Sequence, residues 1–176
     1  MCSSDLETVD FDPGAGTVQS ASAGAGDIFV LSLGPAGAYR WHFACGSGQD
    51  DRGTGLQAYA NGTFWLAGTF NGSVDLDPGA AVNLTNAIGY TDIFLARYSS
   101  SGGFIWAGAI GGPENETVTA RCIAFDGPGN VYLTGAFQGL CDFLPTNQSA
   151  NVQSNGGFDA FIAEYDPSGE IGRAHV

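Results

Sequence analysis

Two pairs of carboxylates carry the clearest chemical potential in the sequence: Asp10 with Asp12, and Asp75 with Asp77, each just ahead of a Pro-Gly dipeptide. In an extended segment residues i and i+2 point to the same side, so each pair presents its oxygens together. Hard oxygen donors beside backbone carbonyls suit a calcium ion. The same side chains also accept backbone N–H bonds and fix turns. Turn-fixing is the expected role, and calcium ligation by Asp10, Asp12, Asp75 and Asp77 is the alternative. A third copy of the segment keeps Asp142 but has Leu144 in place of the second carboxylate, which weakens the metal reading.

Other reactive side chains invite plainer readings. Asp27, Asp92 and Asp159 recur at one position of the repeat described below, where capping of a turn or strand is expected. His42 stands beside Trp41, but its counterpart is Ala107 and no zinc-ligand spacing surrounds it, so a packed or solvated histidine is expected. Arg40, Arg52, Arg97 and Arg121 are dispersed, which fits surface ion pairs or hydrogen bonds. Cys45, Cys122 and Cys141 do not share a repeated position; Cys141 stands where Val9 and Val74 stand and reads as a small buried apolar residue. Sequons occur at Asn61, Asn71, Asn83, Asn115 and Asn147. No nucleophile elbow, phosphate-binding loop or dinucleotide fingerprint is present, so no catalytic or cofactor-binding residue is assigned.

What positions these residues is an internal repeat. Val9-Asp10-Phe11-Asp12-Pro13-Gly14 returns as Val74-Asp75-Leu76-Asp77-Pro78-Gly79 after 65 residues and, altered, as Cys141-Asp142-Phe143-Leu144-Pro145 after 67 more. Asp27-Ile28-Phe29 returns as Asp92-Ile93-Phe94 and Asp159-Ala160-Phe161 at the same spacings. Trp41 pairs with Trp106, and Phe64-Trp65-Leu66-Ala67-Gly68 with Val131-Tyr132-Leu133-Thr134-Gly135. The repeat divides the chain into units 9–73, 74–140 and a truncated 141–170. Each unit reads as two hairpins. The first has strands near 27–33 and 39–44 (copied at 92–98 and 104–110, and begun again at 159–165). The second has strands near 56–59 and 63–69 (copied at 122–125 and 131–136). Asn-Gly, Pro-Ser-Gly and Gly-Pro-Gly supply the turn chemistry.

Composition agrees with short strands and many turns: 28 glycines, 12% aromatic residues and only 13% charged residues. The formal charge of −13, with five Lys and Arg together, repels phosphate backbones, so no nucleic-acid partner is expected. Apolar runs are too short to span a membrane as helices, so no membrane insertion is expected. Four short strands per unit, repeated radially, define a β-propeller blade. The expected fold is all-β: a partial β-propeller, a fragment of a larger ring, with Trp41, Trp106, Phe29, Phe94 and Phe161 packed between blades.

The motif set resembles the bacterial beta-propeller repeat family of secreted and cell-surface proteins, often seven-bladed. The resemblance rests on Asp92-Ile93-Phe94, Trp106, Ile123-Ala124-Phe125-Asp126, Gly129-Asn130-Val131-Tyr132-Leu133-Thr134-Gly135 and the turn Asp166-Pro167-Ser168-Gly169. The Val-Asp-Phe-Asp-Pro-Gly segment marks a variant of that family. The resemblance implies an extracellular or surface setting and brings no catalytic residues. Residues 1–6 and 171–176 resemble translated sequencing adapter, so the native segment is expected to run from about Glu7 to Glu170 within a longer protein. The functional expectation is a non-catalytic structural or binding module whose partners are neighbouring blades and a protein or glycan ligand. The alternatives are a lyase or hydrolase with its channel site largely in missing blades, and a calcium-stabilised architectural repeat.

Overall fold

The structure is a computed structural model that describes residues 8–144 and 149–175. The expectations for residues 1–6, Pro145 and the sequon at Asn147 lie outside the described residues. Every described regular element is a strand. In chain order they are β1 (Thr8–Asp10), β2 (Gln19–Ala21), β3 (Ile28–Leu33), β4 (Tyr39–Cys45), β5 (Arg52–Ala58), β6 (Phe64–Phe70), β7 (Ser73–Asp75) and β8 (Leu84–Asn86). There follow β9 (Asp92–Tyr98), β10 (Phe104–Ile110), β11 (Glu116–Thr117), β12 (Ile123–Phe125), β13 (Val131–Asp142), β14 (Asn151–Tyr165) and β15 (Ile171–His175).

Among the described residues all pairs of strands are antiparallel, and none of the sheets closes on itself. The middle sheet has the order β5-β6-β9-β10, so it takes two strands from each of the first two repeat units. A sheet built on β13, β14 and β15, with β11 and β12 both against β13, follows it, and the hairpin β3-β4 precedes it. The segment Ile171–His175, expected to be foreign, pairs with β14 as β10 pairs with β9.

The inner strands β6 and β9 of the middle sheet are buried on both faces, which explains why they are apolar almost throughout. Side chains alternate along each strand. Phe64, Leu66, Phe94, Ala96 and Tyr98 join Ile28, Val30 and Phe43 of the first hairpin in one core. Trp65, Ala67, Ile93 and Leu95 join Leu133, Phe161 and Ala163 of the last sheet in the other. Trp41 and Trp106 reach across these gaps: a Cβ at Gly102 would meet Trp41, and one at Gly169 would meet Trp106. Phe94 and Phe161 are buried as expected, but Phe29 is 58% exposed, because among the described residues only the small β1-β2 hairpin, through Phe11, lies against that side of β3.

The turns repeat with the strands. Gly37, Gly102 and Gly169 hold φ of 81°, 83° and 90° at the ends of the β3-β4, β9-β10 and β14-β15 turns. Each donates its N–H to the carbonyl three residues earlier, as in a type I turn closed by a left-handed residue. A side chain at that φ is strained, so glycine recurs.

Each of the first two repeats holds three hairpins where the sequence pattern predicts two. The additional one carries the paired carboxylates: Val9 pairs with Ser20, Val74 with Thr85 and Cys141 with Val152, in the same register in all three copies. In the third copy this hairpin is continuous with β13 and β14, joined through a pairing shift between Gln138 and Leu140.

Candidate functional site

The carboxylate pairs hold their own hairpins together. Asp10 Oδ1 accepts the N–H of Asp12 at 3.0 Å and of Val18 at 3.0 Å. Asp75 Oδ1 accepts the N–H of Asp77 at 3.1 Å and of Asn83 at 2.9 Å. Asp142 Oδ1 does the same with Leu144 at 3.0 Å and Ala150 at 2.8 Å. The second carboxylate does less, since Asp12 and Asp77 each accept one glycine N–H at 2.8 Å, from Gly14 and Gly79. The copy with Leu144 thus keeps the full bonding of the first aspartate, which identifies closing of the loop as what the repeated Asp does here. These N–H bonds, Val18 first and then Asp12, hold the Asp10 carboxyl below its usual range.

The strand-leading aspartates close a second loop. Asp27 accepts the N–H of Ala23, Asp92 that of Ile88 at 2.9 Å, and Asp159 that of Asn155 at 2.6 Å, each four residues back. Capping was the expected role, and these are the bonds that perform it.

A further pair of acids lies in the variable stretches 46–54 and 111–120, where Asp50-Asp51 in one copy and Glu114 with Glu116 in the other make a cationic partner or calcium conceivable from the sequence, but their burial is not legible there. Asp51 and Glu116 lie 65 residues apart and each is 1% exposed. Each accepts an N–H four residues back, Asp51 from Ser47 at 2.7 Å and Glu116 from Gly112 at 3.1 Å. The two loops of a unit lock together: Asp51 donates its N–H to Gly26 O, and Glu116 to Thr91 O, both at 2.8 Å. The chain that leads to each of these acids passes close against a strand-leading aspartate. A Cβ on Gly46 would run into the Asp27 carboxyl, and one on Gly111 into the Asp92 carboxyl. Burial pushes the Asp51 and Asp92 carboxyls up, and burial reinforced by the Asp92 and Glu114 charges pushes Glu116 up to about 7. A signal was available in the equal 65-residue spacing of the two acids, but Asp and Glu differ in length and their flanking residues share little.

These loops are the ones in which the units differ most in sequence, 17–26 with 46–54 and 82–91 with 111–120. In the first unit they border a cleft of about 420 Å³ lined by Gly26, Asp27, Phe29, Asp50, Asp51 and Arg52 among others. Arg52 pairs with Asp50 at 2.8 Å on its rim.

The other side chains are occupied structurally. His42 meets Ser20 Oγ through Nε2 at 2.7 Å and the Tyr39 hydroxyl through Nδ1 at 3.0 Å, and it stacks on Phe11 at 4.3 Å. Arg97 donates to Pro167 O and lies over Trp65. Cys45, Cys122 and Cys141 are buried free thiols; burial pushes Cys45 up to about 12 and raises the other two, opposite to what a nucleophile needs. Among the described residues no group of three or more His, Cys, Asp or Glu side chains converges as a metal site. No helix among the described residues is long and apolar enough to cross a membrane. No protein-family model matches the chain, and no curated protein matches it either.

Proposed function

We propose that the chain is a run of β-propeller blades serving as a non-catalytic structural or binding module of a secreted or surface protein. The observation that carries this reading is the packing of successive antiparallel sheets, face to face, with one set of turn bonds recurring at 65–67-residue spacing. A repeated polar group serves the scaffold, because one catalytic centre needs no copies. The polar groups that recur here close loops and cap strands. Binding falls to the sequence-variable loops 17–26 and 46–54, which meet beside the cleft at Asp27 and Asp51. The extracellular setting follows from the motif resemblance alone.

The test is electron microscopy of the complete open reading frame that contains this segment. Radially arranged blades around an axis are expected. A linear stack of sheets, with the repeat advancing along one direction, would overturn the reading. A glycan array probed with the same protein tests the binding role, with loss of any signal on Asp50→Asn, at the exposed rim of the cleft, as the expected control.

A further inference from the structure

The paired acids at the junctions between sheets hold an imbalance that the protein does not resolve by itself. Asp92 is fully buried and Glu116 is 1% exposed. Each has one oxygen occupied by loop N–H groups and one oxygen, Asp92 Oδ1 and Glu116 Oε1, buried with no partner. Consecutive residues anchor the two carboxyls: Gly111 lies against Asp92, and Gly112 donates to Glu116. The first unit repeats the arrangement only in part: Gly46 lies against Asp27, whose Oδ1 has no partner, but Asp27 is half-buried and Asp51 accepts N–H groups on both oxygens, from Ser47 and from Asn71 at 3.4 Å. The groups that favour the charged forms in the second unit are backbone N–H groups, those of Ile88 and Gly89 for Asp92 and that of Gly112 for Glu116. Two carboxylates in one low-dielectric pocket strongly disfavour each other unless a positive charge joins them.

We propose that the acid pair Asp92 with Glu116 binds a divalent cation of the calcium type. Calcium accepts irregular sets of oxygen donors, so two carboxylate oxygens supplemented by backbone carbonyls and water satisfy it. The location gives the ion a function. Asp92 stands at the entry to β9, while Glu116 stands where the chain leaves β10 for the next sheet. An ion shared by the two acids clamps the loop before one sheet to the segment crossing to the next. The site stands on these two loops alone and needs no ring around it. It is separate from the Asp10 and Asp75 hairpins, whose Oδ1 atoms already accept two N–H bonds each.

The experiment uses the full chain stripped of metal with a chelator, titrated with calcium chloride in a calorimeter and melted with and without it. Wild-type protein is expected to bind calcium and melt at higher temperature in its presence. Glu116→Gln should weaken binding at this pair by about tenfold or more. The double variant Asp92→Asn/Glu116→Gln should lose that site. Without calcium it should melt at or above wild type, since the buried repulsion is gone, and this shows that it folds. Asp10→Asn/Asp75→Asn should keep the whole calcium response.

Absence of both heat and melting shift in wild type overturns the proposal, as does an unchanged response in the Asp92→Asn/Glu116→Gln protein. A response lost in Asp10→Asn/Asp75→Asn alone also overturns it, by moving the ion to the hairpins. Outright failure of the propeller reading in the microscope leaves these outcomes unchanged, so the two ideas fail separately.

Discussion

The hairpin β3-β4 and its counterpart β9-β10 have nearly the same turns, the same leading Asp and the same aromatic positions, yet they live in different surroundings. Phe94 is fully buried and meets Phe70 of β6 at 6.5 Å between ring centroids. Phe29, its equivalent, is 58% exposed and meets Phe11 of the small first hairpin at 5.3 Å. Tyr98 is buried and donates its hydroxyl to Leu76 O, whereas Leu33 in the same position is 40% exposed. The difference is one strand: β9 pairs with both β6 and β10, while β3 pairs with β4 alone among the described residues. One local sequence therefore gives one local structure in both places, and the burial that stabilises it comes from the neighbouring sheet and strand.

The largest break in that comparison comes from the aromatic itself. Phe94→Ala should cost about 3–5 kcal/mol by leaving a cavity between two sheets. Phe29→Ala should stay within about 0.5 kcal/mol, as for other exposed sites. Urea melts of the two variants read the difference directly. Equal losses would mean that β3 is covered in solution by another surface. The outward edge of β3, carrying Phe29, is also an open template for pairing between chains. Phe29→Lys should reduce self-association in sedimentation, and unchanged association would place the contact elsewhere.

Next in size is the glycine beneath the aromatic. A Cβ at Gly68 would lie 2.7 Å from the Phe94 ring and collide with Arg52 O, and one at Gly135 would lie 2.8 Å from Phe161. Gly68→Ala should cost about 1–3 kcal/mol through overpacking. The double variant Gly68→Ala/Phe94→Leu should recover part of that loss if ring contact is the cause. No recovery would assign the cost to the strand backbone instead.

Tyr98→Phe is expected to cost about 1–3 kcal/mol, because Leu76 O is left buried without its 2.8 Å donor. Tyr165 repeats the bond to Phe143 O at 2.8 Å, so Tyr165→Phe should match it. A much smaller loss at both positions would show that water replaces the hydroxyl.

Much of this was legible in the residues. The β3-β4 and β9-β10 hairpins fall where apolar strands and Gly turns place them, because alternation and turn chemistry act locally. The start of β5 at Arg52 was not legible: Arg52-Gly53-Thr54-Gly55 has little strand propensity and is held by pairing with Ala67–Thr69. The hairpins β1-β2 and β7-β8 were missed because three-residue strands carry too little pattern. Their signal was the constant eight-residue step from Asp10 to Val18, Asp75 to Asn83 and Asp142 to Ala150. Exposure of Phe29 depends on which sheet lies beyond it, which no local pattern encodes. The same holds for Asp51 and Glu116, whose burial comes from a loop about 25 residues earlier in the chain.

The acids extend the comparison to pH. Glu116 is raised to about 7 from an ordinary value of 4.5, so the folded chain keeps a proton that the unfolded chain releases. Stability therefore falls as pH rises between those values and levels off above them. Asp92, Glu114 and the buried thiol of Cys141 face this group, and the two carboxylates oppose its ionisation. Glu116→Gln should flatten the decline in metal-free buffer. Persistence of the same slope would assign it to Asp92 or Asp51.

Asp10 tests the opposite sign and the smallest effect. Its carboxyl is held below the ordinary value of 3.8 by the N–H groups of Val18 and Asp12, so the charged form is favoured by folding. That contribution is present above the ordinary value and is lost as pH falls through the lower folded one. Asp10→Asn keeps an oxygen acceptor for both N–H groups and removes only the charge. Its melting temperature near neutral pH should lie close to wild type, and its decline in acid should be shallower. Asp10→Ala removes the acceptor as well and should loosen the β1-β2 hairpin at every pH, seen as faster amide exchange at Val18 and Asp12. Equal exchange in the Asn and Ala variants would mean that strand pairing, not the side chain, closes this loop, and the parallel bonds of Asp75 and Asp142 would then be consequences of the hairpin and not its cause.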